Sequence, residues 1–359
     1  MIKKNLLVIL TVTTMSLSSL TGCGNTKTND GSVNTTSYET QSQESSLSKD
    51  NAETTKSASL KTEYPLTVQI YNAEGKEVSV TFENAPQRIV STQLSITELL
   101  LQLGLKDKIV GIMDNDNPVD DKLQAELSSL KSLGYKSTIS KEAIISVDPD
   151  IVMGKSTLMF TDKAIGTVEN YLDQGINVYT LLSSADVVDQ SLDNIINDIR
   201  TVGMIFDVQD KADAYAASLE KQLNETVNNV SAKTQGKEKM KVILMAGFQD
   251  NTFMAFSSSM HSAMLETVNA VNVLDKGGTG LTMENLIALN PDAIVYVTSK
   301  RFEATDADAI DRLLNEPTIQ NVPAIANKKI LKIGYDDIMD YGARDISTVG
   351  VLANFLYSE

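Results

Sequence analysis

One pattern occurs twice in the sequence, and it constrains the fold more than any other feature. Residues 142–152 read EAIISVDPDIV and residues 284–294 read ENLIALNPDAI. In each copy a Glu stands seven residues before a Pro, an apolar helical turn lies between them, and Pro-Asp leads into a predicted strand. Proline ends a helix and fixes the turn, while Asp accepts hydrogen bonds from free backbone N–H groups. Helix–Pro-Asp–strand is a common α/β connection, but the matched Glu offset favours two lobes of related construction.

Predicted strands and helices alternate through both halves of the chain. The first half opens with a predicted hairpin, in which Thr67–Tyr71 and Glu77–Phe82 alternate apolar and polar residues around an Asn-Ala-Glu-Gly turn. The other predicted elements are strands after Pro86 and at Ile109–Ile112, Ile151–Met153, Asn177–Leu181, Lys241–Ala246, Ile294–Thr298 and Ile330–Ile333, and helices near Ile96–Leu103, Lys141–Ser146, Ala164–Gln174, Ser262–Val268 and Asp306–Leu314. This alternation predicts an α/β fold with two Rossmann-like lobes of mainly parallel sheets.

An unbroken helical pattern lies between the two halves. It extends from Asp210 to about Lys233 and contains neither Gly nor Pro. At about 1.5 Å per residue it would extend roughly 36 Å, which is typical of a rigid strut between lobes. We therefore predict an N-terminal lobe over 63–208, a connecting helix over 209–235 and a C-terminal lobe over 236–359.

The first 23 residues indicate export. Lys3 and Lys4 precede an apolar run from Leu6 to about Leu20, which is shorter than a bilayer span and is typical of a secretory signal peptide. The LTGC string that ends at Cys23 resembles a bacterial lipobox, in which the Cys is diacylated and becomes the mature N-terminus. The alternative is an ordinary cleaved signal with a stray Cys. We expect a protein anchored by lipid on the extracytoplasmic face of a bacterial cell membrane, because two acyl chains anchor stably.

Residues 24–62 are predicted to stay disordered. Ser, Thr, Asn, Gln, Lys and Glu dominate this segment and offer too little apolar surface to offset the entropy of ordering it. Such a segment is typical of a flexible tether between an anchor and a folded domain.

Composition and motifs exclude several function classes. The formal net charge of −16 is unfavourable for nucleic-acid binding, which needs clustered Lys and Arg. Because Cys23 is the only cysteine and His261 the only histidine, we expect neither a disulfide framework nor a bare-metal centre. The sequence contains no G-x-S-x-G, H-E-x-x-H or P-loop motif, and the glycine-rich residues 277–280 are interpreted as a loop. We expect a monomer that has neither enzyme activity nor a cofactor.

The segment APQRIVSTQLSITELLLQLGLKDKIVGI, at residues 85–112, resembles the opening of a family of ABC-importer receptors. These are the solute-binding proteins for ferric siderophores, haem and vitamin B12. The resemblance continues through KEAIISVDPDIVMG, MENLIALNPDAIVYV and the region Ile330–Arg344, and it covers about residues 64–357. It implies two lobes bridged by one long helix, a metal chelate in the cleft between them, and an ABC permease with its ATPase as partners.

The resemblance also assigns a role to the two repeated glutamates. In this family, glutamates at the places of Glu142 and Glu284 lie on the tops of the two lobes and pair with arginines of the permease. A carboxylate at a helix start also favours the helix N-terminus, and both roles are compatible.

By the same resemblance the ligand lies at the carboxyl ends of the strands. The family often places an Arg near Arg344, where a guanidinium can face catecholate, carboxylate or propionate oxygens. Tyr335 and Tyr341 suit stacking on a flat ligand, although the tryptophan usual in this loop is missing because the chain has no Trp. The candidate ligand residues are Gln93, Met113, Asn115, Lys155, Phe248, Met260, His261, Arg301, Tyr335, Tyr341 and Arg344.

His261 has two interpretations. With Met260 and Met264 beside it, it could ligate a haem iron, but we favour a helix-start residue without a metal role. The predicted ligand is a ferric siderophore first, a corrinoid second and haem third, and the expected contact of Arg344 with an anionic chelate is the main reason for preferring a siderophore. An adhesin or sensor domain on the same fold is the alternative function.

Overall fold

The computed structural model describes residues 61–157 and 159–358. The predicted signal peptide, Cys23 and the predicted tether up to residue 60 lie outside these residues. Within the described ranges no helix is long and apolar enough to cross a membrane. Thr62 already contacts the folded part, because its backbone N–H donates to Asp207 Oδ1 at 2.8 Å and its hydroxyl donates to the Met204 carbonyl at 2.6 Å.

The N-terminal lobe combines an antiparallel hairpin with a parallel sheet. The hairpin is β1 (Leu66–Tyr71) and β2 (Glu77–Phe82). The sheet contains β3 (Ile89–Ser91), β4 (Ile109–Ile112), β5 (Ile151–Lys155) and β6 (Asn177–Leu181) in the spatial order β4-β3-β5-β6. Its helices are α1 (Leu94–Gln102), α2 (Asp121–Ser128), α3 (Lys141–Ile145), α4 (Val168–Leu172) and α5 (Leu192–Ile205).

The C-terminal lobe follows the long helix α6 (Gln209–Thr234) and is built on a mixed sheet. Its strands are β7 (Met240–Gln249), β8 (Thr252–Phe256), β9 (Ala270–Asn272), β10 (Gly278–Thr282), β11 (Ala293–Thr298) and β12 (Ile330–Gly334), with β10-β8-β7-β11-β12 as spatial order and β9 paired to β7. Its helices are α7 (Ser259–Thr267), α8 (Met283–Leu289), α9 (Glu303–Asp306), α10 (Ala309–Asn315), α11 (Pro323–Ala326), α12 (Tyr335–Ile338) and α13 (Ala343–Tyr357).

The predicted fold class, α/β with two lobes of mainly parallel sheets and one long helix between them, is confirmed. Several details of the sequence prediction were wrong. Residues 277–280 are not a loop, since most of them belong to β10, which pairs antiparallel with β8. A Cβ at Gly277 would lie 2.8 Å from the Ala255 carbonyl oxygen, so glycine permits this close approach. The helix predicted over Asp306–Leu314 is divided between α9 and α10.

In both copies of the repeated pattern, the Asp of the Pro-Asp pair accepts hydrogen bonds from the backbone of a neighbouring strand. Asp150 accepts hydrogen bonds from the backbone N–H groups of Gln87 and Arg88 at 2.7 and 2.9 Å, just before β3. Asp292 accepts one from the backbone N–H of Lys241 at 2.8 Å, at the start of β7. Each Pro-Asp turn thus fastens its own strand to the neighbouring strand.

The long helix α6 packs against α5 of the N-terminal lobe and α13 of the C-terminal lobe. Its buried positions are Ala212, Ala216, Leu219, Val230 and Thr234. Because these positions fall on one stripe of an otherwise polar helix, α6 lies on the surface along both lobes.

A continuous apolar core joins the lobes along this side. It includes residues from β3, β5, α5 and α6 together with Val242 and Leu244 of β7 and the buried face of α13. The alternate residues Ile243 and Met245 face a second core, which lies on the other side of the C-terminal sheet. The sheet of the C-terminal lobe is therefore covered on both faces.

Two glycines in helix interiors provide a matched stability test. A Cβ at Gly203 of α5 would lie 2.4 Å from the Cβ of Ala212 on α6, whereas the nearest atom to a Cβ at Gly350 of α13 lies at 3.7 Å. Gly203→Ala should therefore destabilise the fold by about 1–3 kcal/mol through overpacking. Gly350→Ala should be neutral or stabilising by up to about 1 kcal/mol, because alanine is the better helix former.

Urea denaturation of both variants and the wild type measures this difference. Equal stabilities for the two variants would contradict the close packing of α5 against α6.

Candidate functional site

The carboxyl ends of the N-terminal strands face the C-terminal lobe. Residues that follow β3 and β4, and Lys155 at the end of β5, contact the segment 335–342 that follows β12. In sheets of parallel strands this edge is the usual place for ligands, because loops from several strands converge there. The contact between the two lobes is therefore the candidate site.

Asp336 connects the lobes through backbone groups. Its Oδ2 accepts hydrogen bonds from the backbone N–H groups of Asp116 and Asn117 at 2.7 and 2.8 Å. In return, Asp116 Oδ1 accepts a bond from the backbone N–H of Lys300 at 2.6 Å, and Asn117 Nδ2 donates to the Thr298 carbonyl at 3.0 Å. The loop after β4 is thus bonded to the ends of both β11 and β12.

Asp340 makes a second connection next to the first. Its carboxylate accepts hydrogen bonds from the Ser95 backbone N–H at 3.0 Å and from Gln93 Nε2 at 3.1 Å. The Ser95 hydroxyl donates to the Asp340 carbonyl at 3.0 Å. A Cβ at Gly342 would lie 2.4 Å from the Ser95 Cβ, so glycine allows the lobes to approach here.

Lys155 is a buried cation in this contact, with a relative exposure of 8%. Its Nζ donates to the Met339 carbonyl at 2.5 Å and lies 3.6 Å from Asp340 Oδ1. Burial opposes its charge, but the Tyr335 hydroxyl, Asp340 and Tyr341 outweigh that effect and raise the pKa of Lys155. The lysine is therefore charged at neutral pH.

Two adjoining cavities lie between the lobes, and they share Asp114, Asn115 and Asp116. The inner cavity encloses about 90 Å³, and its lining is Gln93, Leu94, Met113–Asp116, Tyr135, Lys136, Lys155, Met159, Tyr335, Asp336 and Asp340. The outer cavity encloses about 600 Å³, and its lining is Asp114–Pro118, Thr298–Lys300, Glu303, Asp306, Ala307 and Lys332.

The structure brings five of the eleven predicted ligand residues to the inner cavity: Gln93, Met113, Asn115, Lys155 and Tyr335. Sequence reasoning missed Tyr135 and Lys136, which lie opposite Tyr335. Lys136 Nζ lies 4.0 Å from the centroid of the Tyr335 ring and 5.3 Å from that of Tyr135. An aromatic residue next to a lysine, directly after the turn at Gly134, was the available signal.

Five other predicted ligand residues lie elsewhere. Phe248 and Met260 are buried in the apolar cores, and Arg301 is exposed with its guanidinium stacked on Phe302. The left-handed backbone of Tyr341 (φ 55°) directs it to a separate cavity of about 20 Å³ near Ser95. The fifth residue is His261, and none of the five lines either cavity between the lobes.

His261 is a buried residue of the helix start. Its Nδ1 lies 2.9 Å from the hydroxyl of Ser258, the residue that caps α7, and its Nε2 lies 3.2 Å from the Ile338 carbonyl. A carbonyl only accepts, so Nε2 carries the proton and Nδ1 accepts from Ser258. Burial lowers the pKa of His261 to about 4, so the ring is neutral at pH 7. Both ring nitrogens are occupied by the protein, and the placement fits a structural role.

Arg344 lies in the contact between the lobes but outside the inner cavity. Its guanidinium makes a bidentate contact with Glu98 of α1 at 2.6 and 2.8 Å and a third bond to Asp337 at 2.6 Å. Arg344 and Glu98 line a different cavity of about 510 Å³, which also includes Tyr215 of α6. In this arrangement the charge of Arg344 is satisfied by Glu98 and Asp337, and its contact with an anionic ligand stays a prediction.

Glu142 and Glu284 are both exposed in the first turn of a helix, α3 and α8 respectively. Hydrogen bonds from the helix-start backbone and from Ser140 lower the pKa of Glu142, and those from Thr282 and the backbone lower that of Glu284. Both carboxylates are ionised at neutral pH. Within residues 61–157 and 159–358 neither of them forms an ion pair.

No cluster of three or more His, Cys, Asp or Glu able to hold a metal ion occurs among the described residues. The cleft instead offers tyrosine faces, lysines, carboxylates and an amide. Such side chains are suited to stacking and hydrogen bonding with an organic molecule.

Comparison with known proteins identifies relatives over most of the chain. The sequence model of a family described as periplasmic binding protein matches residues 89–336. The uncharacterized ABC transporter substrate-binding lipoprotein YvrC of Bacillus subtilis is 26% identical over 306 residues, covering 84% of this chain and 89% of the relative. A cobalamin-binding protein of Halobacterium salinarum is 21% identical, covering 79% of this chain and 73% of the relative.

A solved structure has the same fold. It is a crystal structure described as an ABC-type Fe3+-hydroxamate transport system from Saccharomonospora viridis. It superposes with a TM-score of 0.67 at 23% identity, covering 82% of this chain and all of the other.

Asp336 should make stability depend on pH. Burial and the nearby negative charge of Asp340 raise the pKa of Asp336 to about 7, against 3.8 for a free Asp side chain. The folded state therefore holds this proton more tightly than the unfolded state does. Its stabilising contribution is present below about pH 4 and is lost as the pH rises towards 7. Each unit of pKa shift corresponds to about 1.4 kcal/mol.

Asp336→Asn keeps an acceptor for both backbone N–H groups but cannot ionise. Relative to the wild type, this variant should gain thermal stability between pH 4 and about pH 7, and the difference should level off above that pH. Melting temperatures measured across this range test the effect, with Glu83→Gln as a control for the loss of an exposed carboxylate. Parallel curves for Asp336→Asn and the wild type would show that Asp336 does not titrate in this window.

Proposed function

We propose that this chain, which belongs to the periplasmic binding protein family, captures a metal chelate between its lobes and delivers it to an ABC permease. The family is one of binding proteins and not of enzymes, and it acts outside the cytoplasm. An ABC permease is the partner that this membership implies. The nature of the ligand and the residues that hold it are the proposal.

The cleft between the lobes supports capture of an organic ligand. The inner and outer cavities adjoin at residues 114–116, and the outer one alone has the size of a typical ligand pocket. Tyr135 and Tyr335 offer ring faces for stacking, while Gln93 and Lys155 offer polar contacts at the strand ends. This convergence of side chains from both lobes is the observation that carries the proposal.

A ferric siderophore is the proposed ligand. The structural relative from Saccharomonospora viridis is described as part of an Fe3+-hydroxamate transport system, which favours this class. A corrinoid is the second candidate, because the relative in Halobacterium salinarum is named a cobalamin-binding protein. Haem ranks third, since His261 lines neither cavity and is bonded through both ring nitrogens. An adhesin role would leave the cleft between the lobes without a ligand.

Delivery is proposed to depend on Glu142 and Glu284. Both are exposed, ionised and free of ion pairs within the described part of the chain, and each opens a corresponding helix of its lobe. One carboxylate on each lobe allows the permease to contact both lobes at once. Arginines on the permease are the matching partners for two such charges.

Anchoring is proposed to occur at Cys23. The Bacillus subtilis relative is named a lipoprotein, and the LTGC string of this chain gives the position of the acylated cysteine. A tether of about 40 residues would then keep the folded part near its permease at high local concentration.

Lobe movement during capture is proposed to be small. The helix α6 packs on both lobes without a break, and the apolar core continues across them. Opening of the cleft therefore has to occur by bending about α6 while the hydrogen bonds of Asp336 and Asp340 separate.

The double variant Glu142→Ala with Glu284→Ala separates capture from delivery. It should keep the wild-type affinity for a ferric chelate within about twofold, because exposed charges outside the cleft contribute little to binding. Uptake of the iron-55 chelate by cells that depend on this protein should fall by about tenfold or more.

Glu83→Ala with Glu238→Ala is the matched control, since it also removes one exposed carboxylate from each lobe. Its uptake should equal that of the wild type. Normal uptake by the Glu142 and Glu284 variant would refute the docking role, and loss of chelate binding would place these glutamates in the binding site instead.

A further inference from the structure

The inner cavity contains more carboxylates than available cations. Its two lysines are both paired, Lys136 with Asp116 and Lys155 with Asp340. Asp114 also lines it and forms no ion pair with any residue of 61–157 or 159–358, while Asp336, whose pKa is raised to about 7, is only partly ionised at neutral pH. A ligand that enters this space therefore meets a lining with an excess of negative groups.

The side chain of Gln93 lines the same cavity and lacks a partner for one atom. Its Nε2 donates to the Asp340 carbonyl and carboxylate at 3.3 and 3.1 Å. Both of these groups are acceptors, so the orientation of the amide is fixed with its NH₂ towards Asp340. Gln93 is only 1% exposed, and its Oε1 has no hydrogen-bond partner in the described part of the chain. A buried acceptor without a donor is costly, so this oxygen favours a ligand N–H.

The aromatic faces of the cavity already accept positive charge. Lys136 Nζ lies over the rings of both Tyr335 and Tyr135, and Lys155 Nζ lies 5.5 Å from the centroid of Tyr335. The negative face of a tyrosine ring attracts an ammonium group and repels an anion.

An arginine for an anionic ligand is also missing from this cavity. Arg344, the residue expected to face such a ligand, is bonded to Glu98 and Asp337 and lines another cavity. Freeing it would leave two half-buried carboxylates without a partner, which is costly.

We propose that the cleft selects its chelate by charge, and that it binds cationic chelates with N–H donors better than neutral ones and anionic ones least. This inference rests on the proposed function and narrows the ligand class. Three hydroxamates balance the charge of Fe³⁺, so a ferric trihydroxamate with a pendant ammonium group has the expected character. Chelates with several carboxylate or catecholate charges do not.

One chelate core with three end groups tests charge alone. The probes are the ferric complex of desferrioxamine B, which keeps a free ammonium group, its N-acetyl derivative, which is neutral, and its N-succinyl derivative, which is anionic. Isothermal titration calorimetry at roughly 0.15 M salt limits screening differences. The ammonium form should bind about tenfold more tightly than the succinyl form, with the acetyl form between them.

A corrinoid series covers the second ligand class in the same way. Its probes are cationic aquocobalamin, neutral cyanocobalamin and an anionic monocarboxylic acid of cyanocobalamin. The order of affinities should again follow the charge of the ligand.

A conservative variant tests whether the cavity is the source of the selection. Asp114→Asn removes one negative charge. The Asn side chain keeps an oxygen that can accept the hydrogen bond which the Ser132 hydroxyl donates to Asp114 Oδ1 at 2.6 Å in the wild type. It should reduce the preference for the ammonium form over the succinyl form by about threefold. Glu83→Gln removes an exposed carboxylate that lines neither cavity, and its preference should match the wild type.

The outcomes separate this inference from the proposed function. Equal affinities within a series that binds, or tighter binding of the anionic member, would overturn charge selection and leave chelate capture intact. If the Asp114→Asn variant kept the wild-type preference for the ammonium form over the succinyl form, the inner cavity would not be the source of charge selection. Failure of every chelate in both series, with haem added, would overturn the proposed function itself.

Discussion

Two carboxylates of the segment after β12 hold the lobes in register. Asp336 and Asp340 accept backbone N–H groups from the loop after β4 and from the start of α1, which belong to the other lobe. Both side chains are buried, so these hydrogen bonds are shielded from water. Everything described at the site depends on them, because they position Gln93 and Lys155 at the inner cavity and limit its volume.

The same carboxylates explain why the cleft is a poor site for anions. Lys155 is a buried cation between the lobes, and Asp340 pairs with it. Burial raises the pKa of the nearby Asp345 well above its ordinary value, and the negative charge of Asp340 raises it further, so Asp345 favours its neutral form. An anionic ligand would have to compete with Asp340 for this lysine. A cationic or neutral chelate avoids that competition.

Local sequence patterns were sufficient to predict the architecture but not the site. The α/β alternation, the long helix and the turns at Asp150 and Asp292 depend on neighbours in the chain, so periodicity and turn chemistry reveal them. Arg344 pairs with Glu98, which lies 246 residues away in the sequence, and no local pattern could show that pairing. The contact of His261 with the Ile338 carbonyl likewise depends on where α12 packs. The edge strand β10 was missed because its glycines are typical of loops.

Capture of a chelate between the lobes can be tested by locating the metal. A crystal structure of the folded part with a bound ferric chelate, with anomalous scattering from iron, gives the position of the metal without assumptions about the ligand. We expect one iron peak between the lobes, with the chelate in contact with Gln93, Lys155 and Tyr335. A peak in the cavity beside Arg344, or on the outer surface of a single lobe, would contradict it.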